Sequence, residues 1–267
     1  MTKNTDNDYF DALCKEAQFT VEMLCSGYTE IRKANYAKRG VYFQAFTSLS
    51  TGFERIGKLC YLLIYAIEHG GSFPTDNDLK NVFRHDIIKL YRLILEFKNK
   101  HDIKYDFLQD LDKPIYQSIL NVLSRFAKGD RYANIDLLIN NRSYDDPISV
   151  WYKDVDLVIF QEKIKMDASL VHYLTSNFVM IRHTGEDGKE INTAFEGSLR
   201  IGINDAVAPY RQLYVFHIIR FFVESLNMVE AIFNNQHFLK IPYFMEIFSF
   251  FYNDDSYMKG RKTISLL

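Results

Sequence analysis

The sequence predicts a mainly α protein, a multi-helix bundle with a small β-hairpin insertion near 177–195. Two periodicities carry this. Across Val41–Ile67 the apolar residues Tyr42, Phe46, Leu49, Phe53, Ile56, Cys60, Leu63 and Ile67 recur in alternating steps of four and three. That spacing is one stripe of a long helix. Only VMIRHT and KEINTAF, on either side of Gly185-Glu186-Asp187-Gly188, read as extended segments joined by an Asp-Gly turn.

The elements follow in order. A first helix is expected over 9–35, where Phe10, Leu13, Ala17, Val21, Leu24, Tyr28 and Ile31 keep helical spacing. The 41–68 helix comes second. A shelf of small residues, Ala45, Ser48 and Gly52, lies beside its stripe and would let another backbone approach closely. Gly70-Gly71 and Pro74 end it. A third helix is expected from about Asp78, burying Leu79, Phe83, Ile87, Leu90, Ile94 and Phe97. Pro114 suits the first turn of a fourth, with Ile115, Ile119, Val122 and Phe126 inward and Gly129 as a break. RYANIDLLIN at 131–140 resumes the helix, NNRSYDDP at 140–147 is a loop, and 148–174 is mainly helical. After the hairpin, which is expected to project from the body, Pro209 precedes a long apolar helix to about Phe233. Pro242 then opens a shorter one with Phe244, Ile247, Phe248 and Phe251. Residues 1–267 read as a single helical domain.

Composition narrows the function classes. With 48% hydrophobic and 25% charged residues, the chain of 267 residues has the makeup of a globular protein. Its 22 Phe and 18 Tyr suit a bulky core. A net charge of −2 provides no global attraction to nucleic acid. Cys14, Cys25 and Cys60 form no CxxC pair, which suggests a reducing, cytoplasmic setting. The start MTKNTDND has no apolar signal region, and LCYLLIYAI at 59–67 is far shorter than the roughly 20 residues of a membrane span. No phosphate loop, dinucleotide fingerprint, HExxH, zinc-type CxxC or GxSxG is present, so no cofactor and no metal site is expected.

Four polar groups are candidates for function. Arg84 and His85 open the third helix next to Asp86, and His85 would share a polar face with Lys89 and Arg92. Arg131 and Asp136, with Asn134 between them, could form a buried network that braces the helix bend. Arg182 and His183 lie on the first hairpin arm, within reach of a substrate or partner. Arg211 and His217 match Arg-x5-His, where arginine could neutralise phosphate charge and histidine move a proton. On a regular helix these two side chains stand about 120° apart. His217 aligns instead with Arg220 and Glu224.

QAFTSLSTGFERIGKLCYLLI at 44–64, followed after a Gly/Pro turn by FRHDIIKLY at 83–91, resembles the core helical pair of the HEPN superfamily, loosely over residues 9–140. The resemblance implies a helical protein of a bacterial defence or stress-response system. It also implies metal-independent cleavage of RNA in a homodimer cleft, with Arg211 and His217 as catalytic residues. The alternative is a non-catalytic helical interaction or dimerisation protein. The two readings part on whether Arg211 and His217 face a common basic cleft. Expected partners are a second copy of the chain, RNA or another protein, and no membrane.

Overall fold

The computed structural model describes residues 6–78, 84–107, 110–139, 145–165, 172 and 183–264. Helix α1 (Asp6–Lys33) and helix α2 (Arg39–Glu68) form an antiparallel hairpin around a tight connection. There the Asn35 side chain accepts a hydrogen bond from the Ala37 amide and starts a single 3₁₀ turn. Helix α2 is the centre of the molecule. It packs against α1, α3 (Ile87–Lys100), α4 (Pro114–Lys128) and α8 (Ala194–Asn235). Its predicted stripe is buried from Tyr42 to Leu63. Gly70 and Gly71 end it with positive φ angles of 61° and 90°, a conformation that favours glycine.

The small shelf of α2 faces α1. Leu24 covers Gly52, Leu49 covers Gly27, and Ser26 and Ser48 meet at 3.5 Å. Large aromatics fill the space between α2, α4 and α6 (Pro147–Trp151). Phe46 lies 5.1 Å from Trp151 and 5.5 Å from Phe126, ring centre to ring centre. One hydrophobic cluster extends from Leu13 to Met258.

Residues 76–78 are helical, where the third helix is expected to start, but a turn at 84–86 precedes α3. Arg84 and His85 have positive φ angles of 35° and 69°, and Asp86 caps α3 by accepting from the Lys89 amide at 3.1 Å. The expected inward residues Leu79 and Phe83 lie outside the described residues. Helix α4 has Pro114 in its first turn and ends at Gly129 as predicted. A 3₁₀ turn and short helix α5 (Ala133–Leu138) follow. Helix α6 runs through one π turn at Tyr152–Asp156 into α7 (Leu157–Lys163).

The hairpin is present, but it does not project. Strand β1 (His183–Thr184) pairs antiparallel with β2 (Glu190–Ile191), and the turn between them folds inward until Glu186 is fully buried. The expected arm at 177–182 is outside the described residues. Helix α8 also starts earlier than predicted. Thr193 caps it by accepting from the Glu196 amide, and the Glu196 carboxylate accepts from the Asn192 amide just before the cap. Pro209 therefore sits inside a 42-residue helix. It removes the hydrogen bond to the Asp205 carbonyl four residues back. Asp205 is exposed, so water can meet that carbonyl.

Beyond α8, α9 (Phe244–Ile247), a 3₁₀ turn and α10 (Asp255–Gly260) fold back over α1 and α8. The Tyr28 hydroxyl donates to the Met258 carbonyl at 2.6 Å, and the Ile264 amide donates to Thr29 at 3.0 Å. Among the described residues, no helix is long and apolar enough to cross a membrane.

Candidate functional site

Helix α8 carries two polar stripes inside an otherwise apolar surround. Arg200, Asn204 and Arg211 are spaced by four and seven residues, so they share one face; His217, Arg220 and Glu224 share another. Each stripe meets a different part of the protein.

Arg211, on the first stripe, is completely buried. Its Nη1 donates to Asp156 Oδ2 at 3.0 Å, Asn204 Oδ1 at 3.1 Å and the Tyr42 hydroxyl at 3.3 Å, while Nη2 donates to the Ala34 carbonyl. Asp156 is held on its other side by Trp151 Nε1 at 3.2 Å. The π turn widens the helix between those two residues, and both point inward. Burial raises the Asp156 carboxyl above its ordinary pKa, and the Arg211 charge with the Tyr42 and Trp151 hydrogen bonds only partly offsets this.

Above this pair sits the hairpin turn. Asn204 Nδ2 donates to Glu186 Oε1 at 2.7 Å. Arg200 donates to Asp187 at 3.1 Å and lies 3.6 Å from Glu186 Oε2. Arg39 of α2 donates to the Gly185 carbonyl. A Cβ on Gly185 would overlap the Arg200 guanidinium, so only glycine allows the turn to come this close.

His217, on the second stripe, faces elsewhere. Its Nδ1 is 2.7 Å from the Tyr116 hydroxyl and its Nε2 is 2.9 Å from Asp255 Oδ2. Burial, aided by Arg220, lowers the His217 pKa and outweighs the pull of Asp255. A neutral ring with a carboxylate at Nε2 must donate there, so Nδ1 accepts from the Tyr116 hydroxyl. Arg220 also binds Asp255, at 2.8 Å, and lies over the Phe107 ring at 4.1 Å. Burial works against ionisation of Asp255, but His217 and Arg220 together outweigh it and hold the carboxyl below its ordinary range. Glu224 accepts from the Asp106 and Phe107 amides at 2.9 and 3.1 Å.

Arg211 and His217 thus share no partner and open onto no common cleft. Their sequence match to Arg-x5-His is resolved into two separate structural networks.

The other predicted residues are also dispersed. Arg84, His85, Lys89 and Arg92 are exposed. His85 does not share a helix face with Lys89 and Arg92, because it lies in the turn before α3, where its Nδ1 meets Glu54 at 2.8 Å. Arg131 is exposed and Asp136 half-buried, so they form no buried brace. That role falls to their neighbour Asp130, which is buried and held by Arg125 at 3.0 Å. Arg182 is outside the described residues. His183 is half-buried, edge-on to the Tyr36 ring at 5.8 Å.

Sequence reasoning missed Arg39, Tyr42, Asp156, Glu186, Arg200 and Asn204 around Arg211, and Tyr116 and Asp255 around His217. One signal was available. The Thr193-x-x-Glu196 cap starts α8 before Pro209 and thereby aligns Arg200 and Asn204 with Arg211. Among the described residues, no cluster of three or more His, Cys, Asp or Glu could hold a metal ion.

Comparisons with models of protein families, with curated proteins and with solved structures find no match to this chain.

Proposed function

We propose that this chain is a non-catalytic helical interaction protein that self-associates through the segment Tyr132–Ile139. The observation that carries this reading is the contiguous apolar surface there. Ile135, Leu137, Leu138 and Ile139 are exposed by 58%, 64%, 82% and 67%, with Tyr132 beside them. Scattered exposed apolar residues are ordinary, but contiguous ones mark interaction sites. Asp136 is the one formally charged residue among 132–139. A second copy of this surface brings little like-charge repulsion, and the neighbouring Arg131 guanidinium is already stacked over the Tyr132 ring at 5.0 Å. A two-fold arrangement places the same patch on both subunits.

Ribonuclease chemistry from Arg211 and His217 would need both side chains free for one scissile phosphate. Arg211 is fully buried with both Nη atoms on protein acceptors, and His217 has both ring nitrogens occupied. Sedimentation equilibrium tests the proposal. The wild type is expected to sediment as a dimer, and Leu138→Asp as a folded monomer near 31.4 kDa. A wild type that stays monomeric at high micromolar concentration overturns it. RNA cleavage that disappears in a folded His217→Ala variant overturns the non-catalytic part.

A further inference from the structure

The buried hairpin turn occupies a pocket whose chemistry it satisfies poorly. Four side chains and one backbone carbonyl define the contact: Arg39, Arg200 and Asn204 on the helical body, Glu186 on the turn, and Gly185 through its carbonyl. Glu186 is fully buried, yet its Oε2 accepts no hydrogen bond. Arg200 Nη1 faces it at 3.6 Å, an ion pair just beyond hydrogen-bond distance, and Arg39 Nε is a further buried donor without an acceptor. Buried polar groups in folded proteins are overwhelmingly paired. A carboxylate that meets Arg200 Nη1 only at ion-pair distance is therefore an imperfect match for it.

The charges carry the same message. With the turn in place, Arg39, Arg200 and Arg211 face Asp156, Glu186, Asp187 and Glu196. Glu186 and Asp187 are adjacent, so they leave together if the turn swings out. Three arginines would then face two carboxylates in a site walled by Tyr36, Tyr42 and Tyr152. An incoming anion would need about the two charges removed and more acceptor oxygens than one carboxylate has. A phosphate monoester dianion carries about −1.5 to −2 charge and three acceptor oxygens. Arginine recognises phosphate with paired N–H donors.

We propose that Arg39, Arg200 and Asn204 form a binding site for a phosphate group, and that the hairpin turn is its built-in competitor, with Glu186 in the place of the phosphate. The turn is attached by a short ladder, His183 with Ile191 and Thr184 with Glu190, so little pairing has to break for it to move. Gly185 and Gly188 at its ends leave the backbone free to swing, and Gly188 already has a φ of 79°.

The test uses inorganic phosphate as the probe, with chloride at matched ionic strength as the control. Hydrogen exchange of the Gly185, Gly188 and Lys189 amides is followed in the wild-type chain. The Gly185 and Gly188 amides donate within the hairpin, to Lys189 and Gly185, so their exchange is expected to speed up as phosphate displaces the turn. Calorimetric titration is expected to give Glu186→Gln at least about tenfold higher phosphate affinity than wild type, equivalent to about 1.4 kcal/mol. Adding Arg200→Gln should abolish that gain. Unchanged exchange at saturating phosphate overturns the proposal, even if Glu186→Gln proves too unstable to titrate. Phosphate binding that is indifferent to Arg200→Gln overturns it as well.

Discussion

Leu24 of α1 lies so close over Gly52 of α2 that a Cβ at position 52 would come within 2.7 Å of its Cδ2. The relation is reciprocal, because a Cβ on Gly27 would come within 2.9 Å of the Leu49 backbone nitrogen. The small-residue shelf is thus filled by α1, and it is not open to a second subunit. Overpacking of this kind costs about 1–3 kcal/mol. Gly27→Ala is expected to destabilise by roughly that amount and by more than Gly52→Ala. Backbone at Leu49 cannot yield as the Leu24 side chain can. Gly52→Leu should be worse than Gly52→Ala. Urea unfolding of the three variants checks the order, and a Gly27→Ala protein as stable as wild type would contradict it.

Arg211→Ala is expected to prevent stable folding, or to destabilise by about 3–5 kcal/mol, because it leaves Asp156 buried without its cation. Arg211→Met combined with Asp156→Leu should recover part of that loss, since an apolar pair needs no desolvated charge. Thermal unfolding of the single and double variants measures the coupling. A well-folded, wild-type-like Arg211→Ala would remove the ion pair from the account of stability. Loss of any activity in Arg211→Ala alone therefore says nothing about catalysis unless folding is measured beside it.

His217 contributes a definite pH dependence. Its folded pKa is depressed below 6.5, so the unfolded chain takes up the proton first as pH falls. Its share of stability is complete above about pH 6.5 and is lost as pH drops toward the folded value. His217→Gln is expected to flatten stability against pH in the interval just below about 6.5. Denaturant midpoints across that interval read this directly, and an unaltered slope would refute it.

Glu230 acts with the opposite sign. Burial raises its carboxyl to about 7, and the Phe244 amide, which donates at 2.9 Å, only partly offsets this. The folded state then holds a proton that the unfolded chain releases near 4.5. Stability is lost as pH rises through this interval, up to about 7. Glu230→Gln keeps an acceptor for Phe244 and is expected to stabilise by about 1–3 kcal/mol at pH near 8. No gain at that pH would show that the carboxylate is accommodated without strain.

Much of the fold is legible because local rules govern it. The stripe of α2, Pro114 at the head of α4 and the Gly70-Gly71 stop are each decided by residues a few positions apart. The start of α8 was misread because Pro209 looks like a helix opening, whereas the stronger signal is the Thr193–Glu196 cap. The turn before α3 is hard to read because Leu79 and Phe83 carry the apolar spacing up to Asp86, the residue that caps the helix. The site was mostly hidden. Arg211 is defined by Ala34, Tyr42 and Asp156, which come from three other regions of the chain. Nothing near Glu186 in sequence distinguishes a buried carboxylate from an ordinary polar turn, since its partners Arg200 and Asn204 belong to α8.

The contacts of α1 with residues 258–264 set an order of events during synthesis. Tyr28, Thr29 and Arg32 leave the ribosome long before their partners Met258, Ile264 and Lys259, which are translated more than two hundred residues later. The α1–α2 hairpin can close around Gly27 and Gly52 as soon as α2 is made, but one flank of α1 stays uncovered until residues 258–264 are translated. Anything that shields a nascent amphipathic helix would have its opportunity here, and a translational pause ahead of Met258 would prolong the exposure.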